Sequence, residues 1–183
     1  ATVQQAWMDD RTHIICATIA FGMGINKPDV RFVFHHSLPK TLEGYMQETG
    51  RAGRDGERAD CYLMYSYGDK NKIEAMIQKS EGDDRQKASQ RQMLLQMVSY
   101  AENEFDCRRK LMLRYFNEHF DPAQCKHTCD NCHRGIPRNA RAVRRDCVRM
   151  QRLRIRLDRQ CRRAHEAVEG PSQRLLGRPG ACA

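Results

Sequence analysis

The rhythm of apolar and polar positions changes several times along this chain, and each change marks an element. Residues 1 to 11 (ATVQQAWMDDR) set Val3, Ala6 and Trp7 at helical spacing, so the chain reads as opening near the end of a helix, part-way through a domain. Residues 13 to 18 (HIICAT) form a short apolar run with β-branched members, the pattern of a strand buried on both faces. Asp29 to His36 (DVRFVFHH) predicts a second strand, and Asp60 to Tyr65 (DCYLMY) a third. Between them Thr41 is placed to cap a helix carrying Tyr45, Gln47 and Arg51. From Asp69 to Gln78 the period becomes helical again, with Ile73, Met76 and Ile77 on one face.

A polar break at Ser80 to Gln86 (SEGDDRQ) divides this part from the next. Beyond it, residues 90 to 101 (QRQMLLQMVSYA) predict a helix with Met93, Leu94, Met97 and Val98 on a core face. Residues 105 to 120 (FDCRRKLMLRYFNEHF) predict another, and the pair suggests a helical hairpin. Strand, loop, strand, helix and strand in this order predict an α/β fold with a parallel sheet. Three units result: an α/β part over 1–80, a small helical subdomain over 83–133, and a tail over 134–183.

Charge follows the same division. The net charge of +9 lies wholly in the tail, which holds 14 Arg, no Lys and four acids, while residues 1–133 carry 18 basic against 19 acidic residues. Apart from the short alternation at Arg152 to Asp158, the tail has no clear period and reads as disordered. Its arginines could bind nucleic acid through phosphate charge alone, although an all-Arg stretch is equally what read-through into a non-coding frame produces. No apolar run approaches the roughly 18 residues of a membrane span, and no signal-peptide pattern opens the sequence, so the chain reads as soluble without a membrane partner.

Four of the nine cysteines have metal-site spacing. Cys125-x3-Cys129-x2-Cys132 gathers three thiolates, and Cys107 offers a fourth from the preceding helix. Four thiolates make a closed tetrahedral zinc site with a structural role, and such spacing favours a reducing compartment over disulfides. His127 and His133 stand near enough to replace a thiolate. Cys16 and Cys61 fall within predicted strands and read as buried, inert thiols.

The second constellation is Gln47-Glu48-Thr49-Gly50-Arg51-Ala52-Gly53-Arg54-Asp55-Gly56. Read as a helix running into a turn, it sets Gln47, Arg51 and Arg54 on one face, and the planar guanidinium fork suits a phosphate. Gly50 and Gly53 permit close approach, and Gly56 fits the left-handed residue that closes a helix. The string resembles motif VI of superfamily 2 helicases as the RecQ family of DNA helicases writes it. Ala17 to His35, with Phe21-Gly22-Met23-Gly24-Ile25-Asn26-Lys27-Pro28, resembles that family's motif V, and Cys107-Arg108-Arg109 with Cys129-Asp130-Asn131-Cys132 resembles its zinc subdomain.

The resemblance implies the last part of a second RecA-like lobe followed by a zinc-binding subdomain, in an ATP-dependent 3′-to-5′ helicase of DNA repair, recombination and replication. Arg54 and Arg51 would then reach the γ-phosphate of ATP, Gln47 would hold the attacking water or link it to the arginines, and Gly24 and Asn26 would face the nucleotide. Asn26 stands where many members have Asp, keeping an acceptor and losing the charge. The implied cofactors are structural zinc, with ATP and Mg²⁺ in the intact enzyme. The implied partners are single-stranded and branched duplex DNA and a first RecA-like lobe, because no GxxxxGK[ST] loop or acidic DExH pair occurs in this sequence. Without that lobe the chain is expected to hydrolyse no ATP. The implied location is the nucleus in a eukaryote and otherwise the cytoplasm. A zinc-stapled DNA-binding or interaction module without catalysis is the alternative.

Overall fold

The computed structural model describes residues 2–19 and 26–135, together with the backbone of 151–157. Gly22 and Gly24 of the glycine loop, and tail residues 136–150 and 158–183, lie outside the described residues. The first element is α1 (Val3–Met8), which buries Trp7 and leaves Val3 exposed. It is followed by β1 (Phe32–His35), α2 (Leu42–Thr49) and β2 (Ala59–Tyr65). Three helices come next: α3 (Tyr67–Lys79), α4 (Asp84–Glu102) and α5 (Arg108–Tyr115). A 3-10 turn (Pro122–Cys125), the short α6 (Asp130–Arg134) and β3 (Gln151–Leu157) complete the order.

The expected parallel pairing is present: β1 and β2 run side by side with Val33 opposite Cys61 and His35 opposite Leu63. β3 adds to the other edge of β2 in the antiparallel sense, giving the order β1-β2-β3. At the local alternation, Gln151–Leu157 does form a strand, inside a tail expected to lack structure. Along β2, Ala59, Cys61, Leu63 and Tyr65 are buried and the residues between them half-buried, the two-residue period of a sheet with one well-covered face. On the opposite face Phe32 and Phe34 of β1 stay exposed, with Phe34 and Tyr62 rings 6.3 Å apart.

Helix α2 shows how sequence makes a packed element. Thr41 caps it by accepting from the Gly44 N–H at 3.0 Å. Its buried residues Leu42, Tyr45, Met46 and Thr49 recur at i, i+3, i+4 and i+7, which is one helical face. That face belongs to a single apolar cluster running from Leu38 through Leu63, Ile73, Leu94, Met97 and Leu113 to Cys125 and Cys129. Residues from both sides of the polar break thus share one core.

Several boundaries differ from the sequence expectation, for local reasons. Residues 13–18 form no strand: no described strand lies beside them, so their backbone has no ladder, and Ile14 and Cys16 are exposed. Helix α4 starts at Asp84, earlier than the apolar period suggests, because Asp83 and Gln86 cap each other's backbone N–H groups. Helix α5 is shorter than 105–120. Before it, the Asn103 side-chain oxygen accepts from the Phe105 and Asp106 N–H groups in a turn. After it, Asn117 takes a left-handed φ of 59° and the Glu118 N–H returns to the Leu113 carbonyl. Met76, expected on the core face of α3, is exposed while Ile73 and Ile77 are buried.

Candidate functional site

The helix bearing Gln47 stops at Thr49, so Arg51 and Arg54 are placed by a turn and not by helical spacing. Gly50 keeps a right-handed conformation, whereas Gly53 carries the first left-handed φ, 63°, and Gly56 follows at 98°. The left-handed residue nearest the helix is therefore Gly53, not Gly56 as expected. Its N–H bonds the Val30 carbonyl at 2.8 Å, and the Asp55 N–H bonds the Pro28 carbonyl at 3.2 Å. These two bonds stitch the arginine turn to the segment that follows the glycine loop. Across the same seam, Arg54 Nη1 donates to Asn26 Oδ1 at 3.3 Å, and Arg31 pairs with Asp55 at 2.5 Å. Gln47, Arg51 and Arg54 are all half-buried.

Ion pairs hold the approach to this seam in place. Lys27, almost fully buried, pairs with Asp10 at 2.7 Å and Asp29 at 3.0 Å and lies 5.8 Å from the centre of the Trp7 ring. Hydrogen bonds to Asp10 and then Asp29 raise the Lys27 pKa, and its ammonium holds Asp29 below the usual carboxylate range. Arg31 does the same to Asp55. Asn26 is thus brought to Arg54 from the far side of the glycine loop, while Gly24 lies outside the described residues.

Cys107, Cys125, Cys129 and Cys132 converge in space, with their sulfurs all within 4.8 Å of one another. A tetrahedral site with zinc–sulfur bonds of about 2.3 Å sets its sulfurs about 3.8 Å apart, so the cluster fits such an ion with little adjustment. The first three cysteines are buried and Cys132 is half-buried. Three devices shape the turn. Asp121 caps the 3-10 turn through the Ala123 N–H, Lys126 and His127 take left-handed φ of 49° and 56°, and the Cys129 sulfur accepts from the Cys132 N–H. None of the six described cysteines is in a disulfide.

Thiols this crowded do not titrate independently. Hydrogen bonds with Cys125 and Cys129 push the Cys107 thiol up, while bonds from Cys107 and Cys129 hold Cys125 down. Burial, then Cys129, pushes Cys132 up to about 12. A cation among the sulfurs relieves this conflict by stabilising all four thiolates. His127 is engaged elsewhere, its Nδ1 lying 2.7 Å from the Cys132 carbonyl oxygen, and His133 is exposed. Neither belongs to the sulfur cluster.

Around the sulfurs lies a polar clamp that sequence patterning did not single out as functional. Arg108, with 1% of its side chain exposed, bonds both Asp130 oxygens at 3.0 and 3.2 Å and donates to the Asn131 side-chain oxygen at 3.2 Å. It also donates to the Tyr100 carbonyl and lies 5.5 Å from that ring's centre. The Asn131 amide donates to the Asn103 and Asp106 carbonyls, both at 2.8 Å. Arg108 adjoins Cys107, and Asp130 and Asn131 stand between Cys129 and Cys132, so one network fixes both halves of the cluster. Its only sequence signal is charge and amide placed inside a cysteine motif.

Comparison with known proteins matches the two segments that carry these constellations. A family model described as helicase conserved C-terminal domain matches residues 1–56, and one described as RecQ zinc-binding matches residues 67–133. Residues 1–133 belong to the RecQ family. This RecQ chain is 56% identical over 146 residues to ATP-dependent DNA helicase Q-like 4B of Arabidopsis thaliana, covering 72% of this chain and 13% of that protein. It is 54% identical over 132 residues to ATP-dependent helicase SGS1 of Saccharomyces cerevisiae, covering 72% of this chain and 9% of the relative. With RecQ-like DNA helicase BLM of Xenopus laevis it shares 53% identity over 137 residues, 71% of this chain and 10% of that one. The RecQ chain thus spans about a tenth of the length of these relatives.

Proposed function

We propose that this chain is the part of an ATP-dependent 3′-to-5′ DNA helicase that completes the nucleotide site and carries the zinc subdomain. The observation that carries this reading is the seam between Arg54 and Asn26, which joins the arginine turn to the glycine loop. A loop-and-arginine pair of this kind can sense a nucleotide and pass the change to bound DNA. In the intact enzyme a first RecA-like lobe supplies the triphosphate cradle with Mg²⁺, and Arg54 and Arg51 reach the γ-phosphate from this side. Gln47 orients the attacking water, while Gly24 and Asn26 face the nucleotide. Such an arginine finger neutralises charge that grows in the phosphoryl-transfer transition state, an effect of about 10³ to 10⁵ in rate where measured. Cys107, Cys125, Cys129 and Cys132 hold a structural zinc, which supplies folding free energy and no chemistry. The DNA is single-stranded or branched duplex, and the location proposed for this eukaryotic-like chain is the nucleus.

ATPase assays of the chain alone, and of the chain joined to a complementary first lobe, test this reading. DNA-stimulated hydrolysis only in the joined form is the expected result. No hydrolysis in either form, with DNA binding retained by the chain alone, would support instead a zinc-stapled DNA-binding module without catalysis.

A further inference from the structure

Helix α2, which carries Gln47 and leads into Arg51 and Arg54, has eight residues. A helix of that length does not hold itself in water, so packing decides where it stands. Some of that packing comes from the sheet and α3, and some from the cysteine-bearing part of the chain. The Tyr45 ring, fully buried on α2, lies 5.8 Å from the Tyr100 ring of α4, and Tyr100 is the residue whose carbonyl and ring meet Arg108. On its other side Tyr45 meets the His35 ring edge-on at 5.1 Å, and His35 Nε2 lies 2.6 Å from Glu48 Oε2, next to Gln47. A separate tie runs from the Tyr115 hydroxyl on α5 to the Glu43 carboxylate in the first turn of α2. The middle of α2 is therefore held by the aromatic stack and its first turn by a hydrogen bond, and both holds reach elements that frame the four cysteines.

We propose that Tyr100, Tyr45 and His35 are positioning residues that transmit the geometry of the cysteine cluster to α2, so that the zinc-bearing turn sets where Gln47, Arg51 and Arg54 stand. The cluster then does more than staple the helices around it. Arg108 reads the cluster through Asp130 and Asn131, Tyr100 packs on Arg108, and Tyr45 packs on Tyr100. Edge-to-face and tilted ring pairs have preferred angles, and close-packed interiors pass small displacements to their neighbours. Glu48, held by His35, sits on the same helical turn as Gln47, so rotation of α2 about its axis is resisted beside the residue proposed to orient water.

The inference rests on the helicase reading for its catalytic meaning, but its physical content is tested without catalysis. In the full 183-residue chain carrying zinc, exchange for the larger cadmium ion lengthens the metal–sulfur bonds while keeping four thiolates. Backbone amide NMR signals of Gln47, Glu48, Arg51 and Arg54 are expected to shift on exchange. In Tyr100→Leu the signals of the cysteine turn should still shift while those of α2 no longer do, and Tyr100→Phe, which keeps the ring, should behave as the native chain. Unmoved α2 signals in the native chain overturn the proposal, and that measurement needs no variant to fold. In the joined two-lobe enzyme, Tyr100→Leu with full zinc content should lower kcat about 10-fold and leave KM for ATP within about 2-fold, the pattern of a misplaced transition-state group. Unchanged kcat also overturns it. An inactive joined enzyme whose α2 signals do respond to cadmium would sink the helicase reading and leave the positioning chain standing.

Discussion

The arginine turn and the cysteine cluster use the same residue type to opposite ends. Arg108 is 1% exposed, its partner Asp130 is 8% exposed, and the guanidinium is surrounded by carboxylate, amide and carbonyl oxygens of this chain. Across the seam, Arg31 and its partner Asp55 on the turn are 41% and 28% exposed, and Arg54 stands half-buried beside Asn26. The cluster is a closed structure whose polar groups answer one another inside the protein. The turn keeps its charges nearer the surface, on a backbone bent by two left-handed glycines. Arginine at the buried site fixes architecture, whereas the arginine turn is the part proposed to meet a phosphate.

If the cluster is a closed zinc site, removing the ion should have the largest effect of all. Purified chain should carry one zinc, and Cys132→Ser should lose it together with stabilisation on the order of 10 kcal/mol, seen as a collapse of the thermal transition. Cys16→Ser and His127→Ala should leave zinc content unchanged. A metal-free chain that melted at the same temperature would erase the contrast between the two regions.

At the turn, the expected loss is kinetic and leaves the fold intact. In the joined two-lobe enzyme Arg54→Ala should lower ATP turnover by about 10³-fold or more while ATP binding weakens far less, and Arg54→Lys should not restore it. Rapid kinetics with separate binding measurements checks this. Near-native turnover would remove the arginine from the chemistry.

Breaking the clamp should cost less than losing the ion. Asp130→Ala leaves the Arg108 guanidinium buried without its carboxylate, which should destabilise the chain by about 3 to 5 kcal/mol in denaturant titration. Arg51→Ala, on the half-buried turn, should cost well under that. Equal losses at the two sites would show that the clamp is no more closed than the turn.

The smallest effect concerns Tyr115, which joins the two regions. Burial, then the Glu43 hydrogen bond, pushes its hydroxyl from 10.0 up to about 12. A raised folded-state pKa means stability fully present below pH 10.0 and lost as pH rises through about 12. The native chain should therefore lose slightly more stability across that interval than Tyr115→Phe does. Parallel alkaline profiles for the two proteins would show that the tie contributes nothing.

Much of this protein was legible in its residues because the signals are local. Thr41 as a cap, the strand at Asp60 to Tyr65 and the spacing of Cys125, Cys129 and Cys132 depend on a few consecutive positions, and each appears in the structure as expected. The starts and ends of α4 and α5 were less legible, since reciprocal capping at Asp83 and the Asn103 turn outrank apolar periodicity where helices meet solvent. Residues 13–18 carry the composition of a buried strand, but a strand exists only where another lies beside it, and composition says nothing about neighbours. Only the tertiary structure brought Asn26 to Arg54, Arg108 to Asp130 and Tyr45 to Tyr100, contacts that join positions 28, 22 and 55 residues apart. The type of each side chain sets what bond it can make, whereas which partner it meets is settled by how helices and sheet close over one shared core.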